Sequence, residues 1–314
     1  MAILENNDSR IYDFNVLKRM IAMPDVSAVT EYEIPADRMA RVTDQGNVDC
    51  CVAVVISEIL TAISAAQGNK EDYSVSYVYG KHRNADSTGT GMLIETALKS
   101  LLNYGSIPYE MFPQLMEMPA VKSAIADRPE FDEYAKSSAI GGYCKIGWAN
   151  AAAKAENLKT ALISFELPIL AVSKTAFPES HCIMIYGFET KPNDIYVKFQ
   201  NSWGKNWAKN GRGTIPLTDI SSMYLLLPKS IELPFTDVPE TAWYYTAVKN
   251  AYMAGYVNGK SDTSFAPNDS ITRAEMCAII DRVLRRQNEI HTAEVITLEN
   301  RLSALETKLR NVRG

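Results

Sequence analysis

The chain has no run of 18 or more apolar residues, which excludes a membrane-spanning helix. It lacks an excess of positive charge. Its 32 Lys and Arg face 37 Asp and Glu, for a formal net charge of −5, so no nucleic-acid partner is expected. The N-terminus, Met1-Ala2-Ile3-Leu4-Glu5-Asn6-Asn7-Asp8, has no basic stretch followed by an apolar one, so no Sec signal peptide is expected. Histidine is scarce, with only His82, His181 and His291. The five cysteines are an odd number without regular spacing, which makes a poor disulfide framework. Free thiols suit a reducing compartment, or a fold that does not depend on oxidation. No CxxC pair or His/Cys cluster is present, so neither a metal site nor a cofactor is expected.

What is there fits a soluble globular protein, with 46% hydrophobic and 22% charged residues. At 314 residues there is room for about two domains. The sequence divides into three regions. The first, to about Pro228, places helix-like segments before strand-like ones, an α+β order. Val52–Ala66 is long and apolar and predicts a buried helix. Thr96–Tyr104 predicts a shorter amphipathic helix closed by Gly105. His181–Phe188, Asp194–Gln200 and Tyr224–Leu227 predict strands, the first two separated by a turn at Lys191-Pro192-Asn193. Residues 229–234 read as a linker between prolines. The second region, 235–285, predicts a helix around Thr246–Ala254 ended by Gly255. A second helix is announced by Ser270 or Thr272 with Glu275, a capping-box signal. In the third region, 286–314, His291, Val295, Leu298, Leu302, Leu305, Leu309 and Val312 alternate at spacings of four and three. That is a coiled-coil seam, and Arg301 and Glu306 can pair between chains.

Chemistry concentrates in the first region. Cys51 precedes the Val52–Ala66 helix, where the helix dipole favours a thiolate. Of the histidines, His291 lies on the seam and His82 in a polar stretch. His181 opens an apolar strand, where an imidazole is held rigidly. Asn201, in Gln200-Asn201-Ser202-Trp203-Gly204, can orient that imidazole. Gln45, six residues before Cys51, can donate to an oxyanion beside the backbone N–H of Cys51. Cys50 is the alternative nucleophile by a one-residue slip. Cys182 should point away from His181 into the core, and Cys144 and Cys277 read as structural.

These blocks resemble the papain family of cysteine peptidases over about Ile34–Leu227. Gln45-Gly46, Cys51 and Ala53 match the nucleophile block. His181 with the strand to Gly187 matches the histidine block. Asn201-Ser202-Trp203-Gly204, with Trp207 and Gly211, matches the asparagine block. The resemblance implies a two-lobed α+β fold and a peptide or protein substrate, with Trp203 shielding the His181–Asn201 bond. Gly89 and Gly91 would either admit substrate backbone or only form a turn. The pattern departs at Val48, Asp49, Cys50 and Val52, and the Asp49 carboxylate should raise the thiol's pKa. Residues 1–33 form an N-terminal extension. Tyr12–Met23 either lies over the cleft as a short pro-segment or forms plain surface structure.

Phe235-Thr236-Asp237-Val238, Trp243-Tyr244, Gly255, Gly259, Phe265-Ala266-Pro267 and Thr272-Arg273-Ala274-Glu275 resemble an S-layer homology module. The resemblance implies binding to bacterial cell-wall polysaccharide. Arg273 would pair with a carboxylate and Trp243 would stack on a sugar or sit in the core. Thr272 and Glu275 serve as cap residues first and ligands second. Such modules occur in threes within one chain; this chain has one, so a trimer through 291–312 is favoured.

The expectation is therefore a Cys-His-Asn endopeptidase at the cell surface, wall-associated. A phage-borne or cytoplasmic stage would account for the missing signal. The alternatives are an inactive papain-fold scaffold for wall binding and assembly, and action on a peptidoglycan amide.

Overall fold

A computed structural model describes residues 10–20, 25–83, 91–192, 194–229, 233–253, 256–261 and 263–284. The seam His291–Val312, with Arg301 and Glu306, lies outside the described residues, as do Gly89 and Gly255. The chain forms two compact units, Met1–Ile231 and Glu232–Gly314. The division falls inside the linker expected at 229–234.

The larger unit carries helices α1 (Phe14–Met20), α2 (Cys51–Ala66), α3 (Val75–His82), α4 (Ile94–Tyr104), α5 (Ala120–Ala126), α6 (Glu130–Ala135) and α7 (Ala151–Phe165). Its strands are β1 (Ile11–Asp13), β2 (Glu31–Glu33), β3 (Gly142–Lys145), β4 (Ile169–Ser173), β5 (His181–Lys191), β6 (Asp194–Gln200), β7 (Arg212–Pro216) and β8 (Ile220–Leu227). The strands form one sheet in the order β1-β3-β8-β4-β5-β6-β7, with β2 pairing β5 off this path. All pairings are antiparallel except β1 with β3. This is the α+β arrangement that the order of apolar segments predicts.

Every residue of α2 from Val52 to Ser64 is buried, which is why its sequence shows little polar alternation. The helix packs against α3 on one side and β5 on the other. Ile56 is fully enclosed, and truncating it to alanine would cost roughly 2–5 kcal/mol. At the end of α4, Gly105 adopts φ +65°, where a side chain would strike the Ala135 carbonyl, so the helix stops there. Gly187 marks a register shift between β5 and β6, and a side chain there would run into the Tyr32 carbonyl of β2.

The N-terminal segment is part of the sheet. β1 pairs in parallel with β3, at the edge distant from β5 and β6. Phe14 and Leu17 of α1 are buried. β1 and α1 thus belong to the sheet and its packing.

In the smaller unit, Phe235, Val238 and Val248 form a core flanked by Leu233, Tyr244, Tyr252 and Phe265. Val248 sits on α8 (Tyr245–Met253). The Asp237 carboxylate accepts from Ser264 Oγ and from the backbone N–H groups of Phe265 and Ala266, each at 2.8 Å, which ties the segment before α8 to the one after it. A further helix, α9, spans 273–284. Cys277 is exposed on it, which corrects the expectation that this cysteine is structural. Among the described residues no helix is long and apolar enough to cross a membrane.

Candidate active site

Antiparallel pairing of β5 with β6 builds the site. Met184 pairs with Gln200, so the first residue of β5 and the residue after β6 meet at one end of the ladder. His181 Nε2 lies 2.8 Å from Asn201 Oδ1, both residues being buried. The same Oδ1 accepts from the Ser202 N–H at 2.8 Å. An oxygen facing this nitrogen requires Nε2 to carry the proton, which leaves Nδ1 as the basic atom. The Asn201 amide nitrogen is buried with no hydrogen-bond partner among the described residues. An orphan of this kind costs about 1–3 kcal/mol, and turning the amide over would place its nitrogen against two donors instead.

Aromatic rings enclose the pair. Trp203 lies 4.9 Å from the His181 ring at 35°, and Phe177 meets it edge-on at 4.8 Å. Phe177 also contacts Trp203 at 5.4 Å. Trp203 and Phe177 thus both pack on the His181 ring. Phe177 escaped the sequence reading; its only signal is an aromatic residue four positions before His181. Burial lowers the His181 pKa from its ordinary value, against a smaller raising effect of the Asn201 bond.

Cys51 is the first residue of α2, capped by Cys50. Its backbone N–H therefore has no intrahelical acceptor. Its thiol is held by burial above the ordinary value, opposed by the backbone N–H groups of Cys182 and Val52, which point at the sulfur. Asp49 raises it further, a smaller effect than burial. Because Cys182 follows His181, the sulfur stands against the start of β5. Cys50 is fully buried and its thiol is pushed up to about 12, chiefly by burial, which speaks for Cys51. Cys144 and Cys182 are buried, as expected.

Gln45 joins the site through the segment before α2. Its N–H donates to the Ser202 carbonyl at 2.8 Å, and its Oε1 accepts from Ser202 Oγ. One Nε2 hydrogen goes to the Val48 carbonyl at 2.8 Å, which leaves the second for an oxyanion. Gly91 has φ +79°, a conformation that favours glycine, with open space beside its α-carbon.

His82 does not lie in a polar environment, as its sequence neighbours suggest. It is buried, with Nδ1 2.8 Å from Ser100 Oγ and Nε2 2.7 Å from the Gly105 carbonyl. Burial lowers its pKa to about 4, so it is a neutral core group. Among the described residues no cluster of metal-ligating side chains occurs.

In the smaller unit, Thr272 and Glu275 form a reciprocal capping box. Thr272 N–H donates to Glu275 Oε2 at 2.8 Å and Glu275 N–H to Thr272 Oγ1 at 3.1 Å. Arg273 is exposed, and Trp243 is 91% exposed, so Trp243 has no core role. A groove of about 360 Å³ is lined by Lys260, Phe265, Pro267, Ile271, Glu275 and Arg282 among others, but not by Arg273, Trp243 or Thr272.

Comparison with known proteins agrees with this division. A family model for the S-layer homology domain matches residues 234–277. An endoglucanase of Bacillus sp. (strain KSM-635) is 39% identical over 56 residues, which are 18% of this chain and 6% of that protein. Among solved structures, xylellain, a cysteine protease from Xylella fastidiosa, superposes with a TM-score of 0.55 at 15% identity, over 67% of this chain and 89% of its own. The ragweed pollen cysteine protease Amb a 11 in its proform gives 0.53 at 14% identity, over 69% and 70%. Procathepsin L 3 of Tenebrio molitor larval midgut gives 0.51 at 14% identity, over 65% and 73%. The larger unit has the fold of the papain-like cysteine proteases, and residues 234–277 are an S-layer homology domain.

Proposed function

We propose that this chain is a cysteine endopeptidase held at a bacterial cell wall. One observation carries the reading. His181 is fixed by Asn201 beneath Trp203, at the end of the strand that the Cys51 sulfur faces. In the mechanism, His181 Nδ1 takes the thiol proton as Cys51 Sγ attacks the peptide carbonyl carbon. The oxyanion is met by the Cys51 N–H and the remaining Gln45 hydrogen. His181 returns its proton to the leaving amine, and water then hydrolyses the thioester with His181 again the base. Burial disfavours the thiolate and the imidazolium taken singly. Formed together, they neutralise each other, so proton transfer within the pair is the favourable route.

The wall-binding role rests on the S-layer homology domain. Trp243 and Arg273, both exposed, are the proposed contacts for an acidic polysaccharide. Met276, Ile280 and Leu284 are exposed at four-residue spacing on α9, an apolar stripe that suits assembly of chains, with a trimer favoured.

The test is intact mass after a cysteine-protease epoxide inhibitor, on the wild type and on Cys51→Ala. One stoichiometric adduct, absent from the variant, is expected. No adduct on the wild type would favour the second reading, a scaffold for wall binding, which the raised Cys51 thiol and the Asp49 carboxylate favour.

A further inference from the structure

α2 carries a carboxyl group that the proposed mechanism does not use. Glu58 stands seven residues after Cys51, two turns down the same helix. It is 3% exposed, and neither of its oxygens has a hydrogen-bond partner among the described residues. Its surroundings come from every part of the candidate site. From β6 the Gln200 side chain faces it, one residue before Asn201. From β5 the Cys182 thiol faces it, one residue after His181. From the segment before α2 the Thr43 backbone faces it, two residues before Gln45. Arg41 and Arg212 are the nearby cations.

Gln200 and Thr43 turn donors toward the carboxyl, but neither comes within hydrogen-bond distance of its oxygens, and burial outweighs them. Gln200 Nε2 donates to the Arg41 carbonyl at 3.2 Å, and its Oε1 accepts from Arg212 Nε at 3.3 Å. Arg41 stacks on Tyr109 at 3.4 Å and lies 3.7 Å from Asp72. A charged carboxylate buried without a partner is too costly to persist, whereas the protonated acid is tolerated. The acid also has one hydrogen to donate, which the ion lacks.

We propose that Glu58 is a positioning residue: as an uncharged acid it keys α2 against β5 and β6 beneath Cys51, His181 and Asn201, and its ionisation loosens that junction. The inference rests on reading those three residues as the catalytic set. Burial pushes the Glu58 carboxyl up to about 8, above the ordinary range, in line with this geometry. The sign follows from linkage. A pKa raised in the fold gives stability that is complete below the unfolded value near 4.5 and is lost as pH rises to about 8. Glutamine reproduces the neutral acid and cannot ionise.

Two readouts on wild type and Glu58→Gln test this from pH 4.5 to 9.5. The first is the melting temperature, which does not depend on activity. The advantage of the Gln variant should grow from pH 4.5 to about 8 and then level. The second is the rate of Cys51 alkylation by iodoacetamide. Above pH 8 the wild type should depart from the variant by several-fold, while the two agree within about twofold at pH 6. Identical pH dependence of both proteins in both readouts would overturn the proposal. So would a Gln variant as impaired as Glu58→Ala at pH 6. If the Gln variant does not fold, the carboxyl carbon shifts of ¹³C-labelled wild type decide: one glutamate titrating near 8 supports the inference, and none overturns it. Whether Cys51 is a nucleophile is read separately, by the epoxide adduct of the wild type.

Discussion

His181 and Asn201 are joined through an amide oxygen, at 2.8 Å, and not through a carboxylate. An imidazolium formed in the proposed acyl transfer would therefore gain orientation from its partner but no opposite charge. Asn201→Asp would supply that charge and raise the His181 pKa by about 1–3 units, as an opposite charge at hydrogen-bond distance does. The acidic limb of the kcat/KM profile, which reports the base, should move up accordingly. Asn201→Ala should instead lower kcat, by less than the 10²–10⁴-fold on the order expected for loss of His181 itself. A profile unmoved by Asn201→Asp would show that the bond has no part in the reaction.

His82 gives the larger unit an acid-labile point. Its pKa is about 4 in the fold and near 6.5 when unfolded. A lowered pKa means that the unfolded chain binds the proton first as pH falls. Stability is therefore complete above pH 6.5 and declines between 6.5 and 4, by about 3 kcal/mol. Urea denaturation at pH 7 and pH 4, on the wild type and on His82→Gln, checks this. The variant should be less stable at pH 7 and should lose less on acidification. Glu58 works in the opposite direction over the upper part of this range, so His82→Gln is best compared in a Glu58→Gln background.

The order of helices and strands, the α2 run, and the set Gln45, Cys51, His181 and Asn201 were legible in the sequence. Each is a local pattern, or a residue type rare enough to stand out. What was not legible depends on packing between distant segments. His82 looked solvated because its sequence neighbours are polar; only the fold sets it between Ser100 and Gly105. Glu58 is one of four polar residues in the apolar Val52–Ala66 run, and nothing in that run marks it out. Its setting between Gln200 and Cys182 comes from strands more than 120 residues away. Phe177 lies in a loop whose path no periodicity announces. β1 and β2 are three residues each, too short for a period to show.

The place of β1 and α1 at a sheet edge bears on the extension 1–33. Were it a detachable inhibitory segment, removing it would raise activity and leave stability unchanged. Phe14 and Leu17 are buried, and each such side chain contributes roughly 1.5–3 kcal/mol. A chain beginning at Glu31 should therefore melt lower and gain no activity. Phe14→Ala alone should cost roughly 3–5 kcal/mol. A truncated chain with an unchanged melting temperature and higher turnover would restore the pro-segment.

In the smaller unit the cap residues and the proposed wall contacts are different residues, so substitutions should separate them. Thr272 and Glu275 exchange hydrogen bonds at the start of α9, and Thr272→Ala should destabilise the unit by about 1 kcal/mol. Below its melting transition that variant should still bind cell walls, because the hydroxyl is already spent on the helix. Trp243 makes the opposite case. At 91% exposure its side chain adds little to the fold, and its one described ring contact is with Tyr244 at 5.5 Å. Trp243→Ala should leave the melting temperature within about a degree while weakening sedimentation with purified walls about tenfold, as loss of one stacking platform does. Arg273→Ala should weaken it too, and more at low salt than at high, because a charge pair is screened and a stacking contact is not. Binding untouched by both substitutions would move the recognition surface to the groove between Lys260 and Arg282.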